Sequence, residues 1–166
     1  MRGSLPEPRL IEFRGTLYRA FNPRWTAQPL SGEWAARFGG RFNRKGRPAL
    51  YTTLEPSTAL REVSRTRRMQ PILFISYEAT LIGVVDALGS GLDLALLGAD
   101  DWQRRMDAEG TAPTQDLAET LITAGATGLL VPSFAPGARP EDLNLVLWSW
   151  TADTLRVIDD EKRLPG

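Results

Sequence analysis

The apolar runs of this chain are short, strand-like and unevenly spaced, and that spacing constrains the fold more than any other feature. Leu17-Tyr18-Arg19-Ala20-Phe21, Ala49-Leu50-Tyr51-Thr52-Thr53, Ile72 to Tyr77, Gly128 to Pro132 and Leu143 to Trp148 read as strands. Leu81 to Leu88, reached through Gly83, predicts another short strand, and Leu155 to Ile158 a last edge strand. Helical signals are confined to three places. One helix opens at Glu55-Pro56-Ser57-Thr58 and runs to about Met69; the others cover Asp101 to Glu109 and Thr114 to Ala124, the last ended by Gly125. Regular strand–helix alternation is absent. The pattern therefore disfavours a doubly wound sheet and predicts a single α+β domain with mixed, largely antiparallel strands and flanking helices. Asn22 to Gly46 is a long unpatterned connection carrying Trp25, Trp34, Phe38 and Phe42, and a stretch of that length reads as a functional loop.

A chain of 166 residues can bury about two-thirds of its unfolded surface in one domain, so the core needs no staple. None is available, because the chain has neither cysteine nor histidine. This excludes a disulfide framework, a cysteine nucleophile, a Ser-His-Asp triad and a histidine-bound metal. Acid–base work falls to Glu, Asp, Tyr, Lys or water. No apolar stretch of about 18 residues occurs and the N-terminus lacks a signal core, so a cytoplasmic protein without membrane contact is expected. The chain divides into an N-terminal extension over 1–16, of which 1–4 resemble a vector-derived leader, a domain over 17–160, and a tail over 161–166.

The zero net charge is an average of two halves. Residues 1–70 carry 14 basic against 5 acidic side chains, a net of +9, and residues 71–166 carry 6 against 15, a net of −9. All the basic residues except Lys45 and Lys162 are arginine, which suits planar, bidentate recognition of phosphate or carboxylate.

Five places could carry chemistry, and each has an ordinary alternative. Arg19 could simply pair with a carboxylate. Gly39-Gly40 before Arg41 could be only a turn. Tyr51 fits a core aromatic with a satisfied hydroxyl, Glu62 an exposed helix former at the edge of the apolar face beside Ala59, and Ser133 a plain loop serine.

Their joint order is more specific. Tyr18-Arg19, Ser31-Gly32, Gly39-Gly40-Arg41-Phe42-Asn43-Arg44-Lys45-Gly46, Ala49-Leu50-Tyr51-Thr52, Ala59-Leu60-Arg61-Glu62, Val131-Pro132-Ser133 and Asn144-Leu145-Val146-Leu147 together resemble the RES domain, named for its Arg, Glu and Ser. Phe42 departs from the pattern, which often has tryptophan there. The resemblance implies a fold similar to ADP-ribosyltransferases, NAD+ as co-substrate, no metal, and a toxin restrained by an Xre-like antitoxin. It further implies NAD+ hydrolysis, phosphorolysis or transfer of ADP-ribose to a protein; the pattern looks most like members that modify phosphoribosylpyrophosphate synthetase. On this reading Glu62, Arg41, Tyr51 and Ser133 are catalytic, and Arg19, Arg41, Tyr51 and Ser133 bind NAD+. The missing histidine is compatible with that chemistry: nicotinamide leaves a cationic nitrogen as a neutral molecule and requires no general acid. What the reaction needs is a carboxylate near the developing oxocarbenium ion.

Two other classes compete. The basic half, with aromatics between its arginines and Arg61, Arg65 and Arg68 on one helical face, could bind nucleic acid; a solvated face, or a surface for an acidic antitoxin, explains it as well. Asp100-Asp101 and Asp159-Asp160-Glu161 could hold a metal, but helix capping and tail solvation account for them. Gly39-Gly40-Arg41 lacks the Gly-Lys-Ser/Thr ending of a phosphate-binding P-loop.

Overall fold

A computed structural model describes residues 8–21, 28–57, 73–135 and 137–158. Six strands, β1 (Leu10–Phe21), β2 (Leu50–Thr53), β3 (Leu73–Asp86), β4 (Gly128–Pro132), β5 (Leu143–Leu147) and β6 (Leu155–Val157), form one sheet. The complete helices among the described residues are α1 (Glu33–Phe38), α2 (Leu94–Leu97), α3 (Trp102–Glu109) and α4 (Pro113–Thr123). β1 and β3 pair antiparallel from Leu10↔Val85 to Phe21↔Leu73. β2 meets β1 at Tyr18↔Thr53 and lies along β5 from Leu50↔Leu147 to Thr53↔Asn144. β5 continues to β4, and β4 returns parallel to β3 over Val84–Asp86. These pairings close a ring of five strands, with β6 attached outside it to Tyr77–Ala79 of β3. The parallel β3–β4 pair requires a crossover, and α2, α3 and α4 supply it.

The mixed, mainly antiparallel α+β architecture is the one the strand spacing predicts. Two strands and two short helices differ from the sequence reading, α1 and α2 being outside its three helical stretches. β1 starts at Leu10, seven residues before the expected strand, because pairing with the long β3 extends it. The strands expected over Ile72 to Tyr77 and Leu81 to Leu88 are one strand: Ile11↔Val84 is followed by Glu12↔Ile82, leaving Gly83 (φ +83°) as the extra residue of a bulge. The helix expected from Glu55 to Met69 begins at Pro56-Ser57; its remainder, with Glu62 and the Arg61/Arg65/Arg68 face, lies outside the described residues. So do Asn22–Thr26 with Trp25, and the Asp159-Asp160-Glu161 cluster.

Alternation along β2, β5 and β4 separates two cores. Leu50, Leu145 and Leu147 join Leu17, Ile75, Tyr77, Leu81, Val84 and Leu155 inside the ring. On the opposite face Val146, Leu129 and Val131 pack with Phe42, Leu97, Leu117, Leu121 and Trp148 beneath the helices, and Tyr51 rests against this second core. The helices have local reasons to sit there. Asp93 caps α2 by accepting from Ala95 N and Leu96 N (3.0 and 3.4 Å), and Gly110 ends α3 in the left-handed conformation.

The described part of the long connection is pinned rather than loose. The Tyr77 hydroxyl donates to Pro29 O (2.7 Å), Trp150 Nε1 to Leu30 O (2.9 Å) and Trp148 Nε1 to Phe42 O (2.9 Å). Side chains from β3 and from the end of β5 thus supply the backbone partners that the missing periodicity denies the segment. Within it, α1 is a single short helix that the sequence pattern did not reveal.

Candidate active site

Gly39 to Arg47 form a compact turn above β2, and polar side chains determine its shape. Gly40 and Asn43 exchange backbone hydrogen bonds (2.9 and 3.3 Å). The Asn43 amide, fully buried, donates to Ala35 O (2.8 Å) and Arg47 O (2.9 Å), while its Oδ1 accepts from the Tyr51 hydroxyl (2.6 Å). Phe42 N donates to the same hydroxyl (3.0 Å). Both glycines are sterically required: a Cβ on Gly40 would lie 2.5 Å from Tyr51 Oη and one on Gly39 (φ +75°) 2.7 Å from Met106 Sδ. Tyr51 is therefore fixed at its polar end, and burial pushes its ionisation well above the ordinary phenol range, opposed by the Phe42 N–H and by nearby Arg41. It is a neutral donor under ordinary conditions.

Arg41 leaves this turn toward the crossover. Its Nη1 donates to Leu97 O (3.1 Å) and Ala99 O (2.7 Å), its Nη2 lies 3.7 Å from Asp100 Oδ1, and its guanidinium sits 5.5 Å from the centre of the Phe134 ring. The cation thereby neutralises the carbonyl end of α2 and bridges the turn to the loop after β4. Ser133, at the start of that loop, is largely buried; its N–H donates to Asp142 O (2.8 Å) and its Oγ accepts from Ala135 N (3.3 Å). Asp142, fully buried, clamps the loop by accepting from Arg139 N (2.8 Å) and Nη2 (3.1 Å).

Arg41 thus lies between the other two candidates on the helix-covered face: near enough to Tyr51 to act on its ionisation and beside Phe134, the residue that follows Ser133. Arg19 is placed differently. Tyr18↔Thr53 puts Tyr18 on the Tyr51 face, so Arg19 points to the ring interior beside Leu17. It reaches Pro29 O (3.4 Å) near the Tyr77 hydroxyl, whose ionisation burial raises and Arg19 partly lowers. Glu62 lies outside the described residues. Sequence reasoning singled out neither Asn43 nor Gln115 as site-building; the signal for the second was available, since Gln115 stands third in a helix opened by Pro113, where it can reach back to Ala112 N. Among the described residues no cluster of acidic side chains suited to a metal is found, and no helix is long and apolar enough to cross a membrane.

Residues 16–165 match the RES domain. The chain belongs to the RES family. Among curated RES relatives, Toxin Res from Yersinia enterocolitica is 30% identical over 133 residues, covering 79% of this chain and 82% of that protein. The toxin–antitoxin complex MbcT–MbcA of M. tuberculosis contains a chain of similar fold, with a TM-score of 0.67 at 24% identity over 90% of this chain and 84% of that one. The RES fold is thus an α+β domain with a mixed sheet here as well.

Proposed function

We propose that this RES protein is the toxin of a toxin–antitoxin pair and consumes NAD+ by cleaving the nicotinamide–ribose bond, passing ADP-ribose to a protein acceptor such as phosphoribosylpyrophosphate synthetase. The observation that carries this reading is the family match over residues 16–165, which spans Glu62, together with Arg41 set between Tyr51 and the Phe134 ring next to Ser133. The toxin assignment is supported by the Yersinia relative and by the toxin–antitoxin complex of the structural neighbour, which also supports an antitoxin as partner.

The residues suit the substrate. A dinucleotide needs a cation for its pyrophosphate, an aromatic face for nicotinamide and a hydroxyl for the ribose or the amide. Arg41 supplies the first, Tyr51 the second and Ser133 the third; Arg19, expected from the sequence to bind phosphate as well, lies on the opposite face beside Leu17 and has no part in this reading. Because the Tyr51 hydroxyl is engaged by Asn43 and Phe42, its ring rather than its proton meets the substrate. Glu62 stabilises the positive charge that develops on the ribose as neutral nicotinamide departs, and then orients the acceptor. Water or phosphate in the acceptor's place would make the enzyme a glycohydrolase or a phosphorylase.

The test is incubation with NAD+ labelled in the ADP-ribose moiety, together with cell lysate, with and without phosphate. A labelled protein is expected; label only in ADP-ribose or its 1″-phosphate would move the assignment to water or phosphate, and absence of turnover would reject it. Glu62→Gln should fold normally and lose about 10²- to 10³-fold in rate. Full activity in that variant would remove Glu62 from the mechanism.

A further inference from the structure

The polar contacts between α4 and the turn above Tyr51 go beyond what the helix itself needs. Gln115 is fully buried on α4. Its Oε1 accepts from Ala112 N (3.0 Å), which completes the helix start. That cap uses only the oxygen. The amide nitrogen donates to Gly40 O (2.9 Å) and Asn43 O (3.1 Å) and touches Met106 Sδ (3.1 Å). Gly40 and Asn43 are the two ends of the four-residue turn, so one side chain more than 70 positions away holds both. There is little slack between this grip and Tyr51: Asn43 Oδ1 takes the phenol proton, and a Cβ on Gly40 would stand 2.5 Å from the phenol oxygen and 2.7 Å from Asn43 Oδ1.

We propose that Gln115 is a positioning residue of the NAD+ site, fixing Tyr51 through the Gly40–Asn43 turn by its two amide donors. The kinetic consequence rests on the NAD+ reading above; the link from Gln115 to Tyr51 does not. What matters is the donors, not the volume. Gln115→Glu keeps the shape and the acceptor for Ala112 N but, when ionised, sets an oxygen against two carbonyl oxygens. Protonated, the same carboxyl can donate to one of them. Burial raises a carboxyl's pKa, so this protonation falls at milder acidity than for an exposed glutamate.

The expected result for Gln115→Glu at neutral pH is a kcat about 10- to 100-fold lower with KM within about twofold, since misplacing a substrate-orienting group acts mainly on the reacting geometry. Relative to wild type, kcat should partly recover as the pH is lowered. Gln115→Met, of similar length but without donors or charge, should show the same loss and no recovery. Independently of activity, the ring-carbon resonance of Tyr51 should report a phenol that ionises closer to its ordinary range in Gln115→Met, where the turn loosens and no charge is added. Variants that melt earlier but keep wild-type kcat and wild-type Tyr51 ionisation would make Gln115 only a helix cap and overturn the proposal. Should neither variant fold, nicotinamide titrated into wild type decides: once the Tyr51 ring resonances saturate, shifted Gln115 side-chain amide signals support the link, and unmoved signals overturn it. Wild type that leaves NAD+ intact would refute the NAD+ reading alone, because the Tyr51 titration still tests the connection.

Discussion

Two tyrosines on opposite faces of the same sheet, Tyr77 buried and Tyr51 partly buried, are held in different ways. Tyr77 lies wholly inside the strand ring, surrounded by leucines and isoleucine; its hydroxyl donates to the Pro29 carbonyl and meets the Arg19 guanidinium. Tyr51 rests on the helix-covered face, and its hydroxyl is both donor and acceptor in a network made of Asn43, Phe42 and, one step removed, Gln115. Apolar packing tolerates small displacements of a ring. A hydrogen-bond network with every partner named does not, which is why a fully satisfied polar cluster specifies position where a core specifies only burial. The ring interior is the foundation, and the turn above Tyr51 is the part built to tolerance.

The largest effect that can break this comparison is Tyr77→Ala. Emptying so enclosed a position should cost about 3–5 kcal/mol of stability, read by chemical denaturation. Tyr51→Ala should cost less stability and more turnover. Equal stability losses in the two variants would mean that Tyr51 belongs to the core as fully as Tyr77. A finer version removes only the hydroxyls. Tyr77→Phe takes the hydroxyl from the Pro29 carbonyl and Arg19, and Tyr51→Phe takes it from Phe42 N–H and Asn43 Oδ1, so each should lose about 1–3 kcal/mol. Only Tyr51→Phe should also lower kcat at saturating NAD+, and the same kcat fall in both would erase the distinction between foundation and site.

The foundation was the more legible of the two in the sequence. β4, β5 and β6 announce themselves as apolar runs between turn residues, because inward-facing leucines and valines alternate with the opposite face. The pattern around Gly83 is ambiguous, since a glycine in a strand pattern marks a bulge or a break alike, and only pairing with β1 distinguishes them. The site was legible as a string of residues, Gly39 to Asn43 and Tyr51, but not as an object. Its shape depends on Gln115, Trp148 and Asp142, each many positions from the side chains it steadies. The opposed charges of the two halves had a similar fate. Arg41, Arg44 and Arg47 lie within reach of Asp100, Asp116 and Glu119 respectively, so part of the excess that suggested nucleic acid is matched within the fold.

That charge matching gives the smallest prediction and the sharpest contrast between the faces. Arg47 grips Glu119 through Nε (2.9 Å) and Nη2 (3.0 Å), tying the end of the turn to α4 one helical turn beyond Gln115. The hydrogen bond from Arg47 holds the Glu119 carboxyl below the usual carboxylate range, against a smaller opposing effect of burial. A group with a depressed folded pKa stabilises the fold above its unfolded pKa, and that stabilisation is lost as pH falls through the folded value. Both side chains are partly open to solvent, so the pair contributes only about 0.5–1 kcal/mol near neutrality, and salt weakens it further. Glu119→Gln should therefore be less stable than wild type by that amount at about pH 7 and indistinguishable from it at about pH 2, by denaturation at each pH. Tyr77→Phe, whose lost bonds go to a carbonyl and to an arginine that stays charged throughout this range, should keep its deficit at both. If the Glu119→Gln deficit is also unchanged by acid, an uncharged contact joins the turn to α4, and the two faces are held by the same kind of force after all.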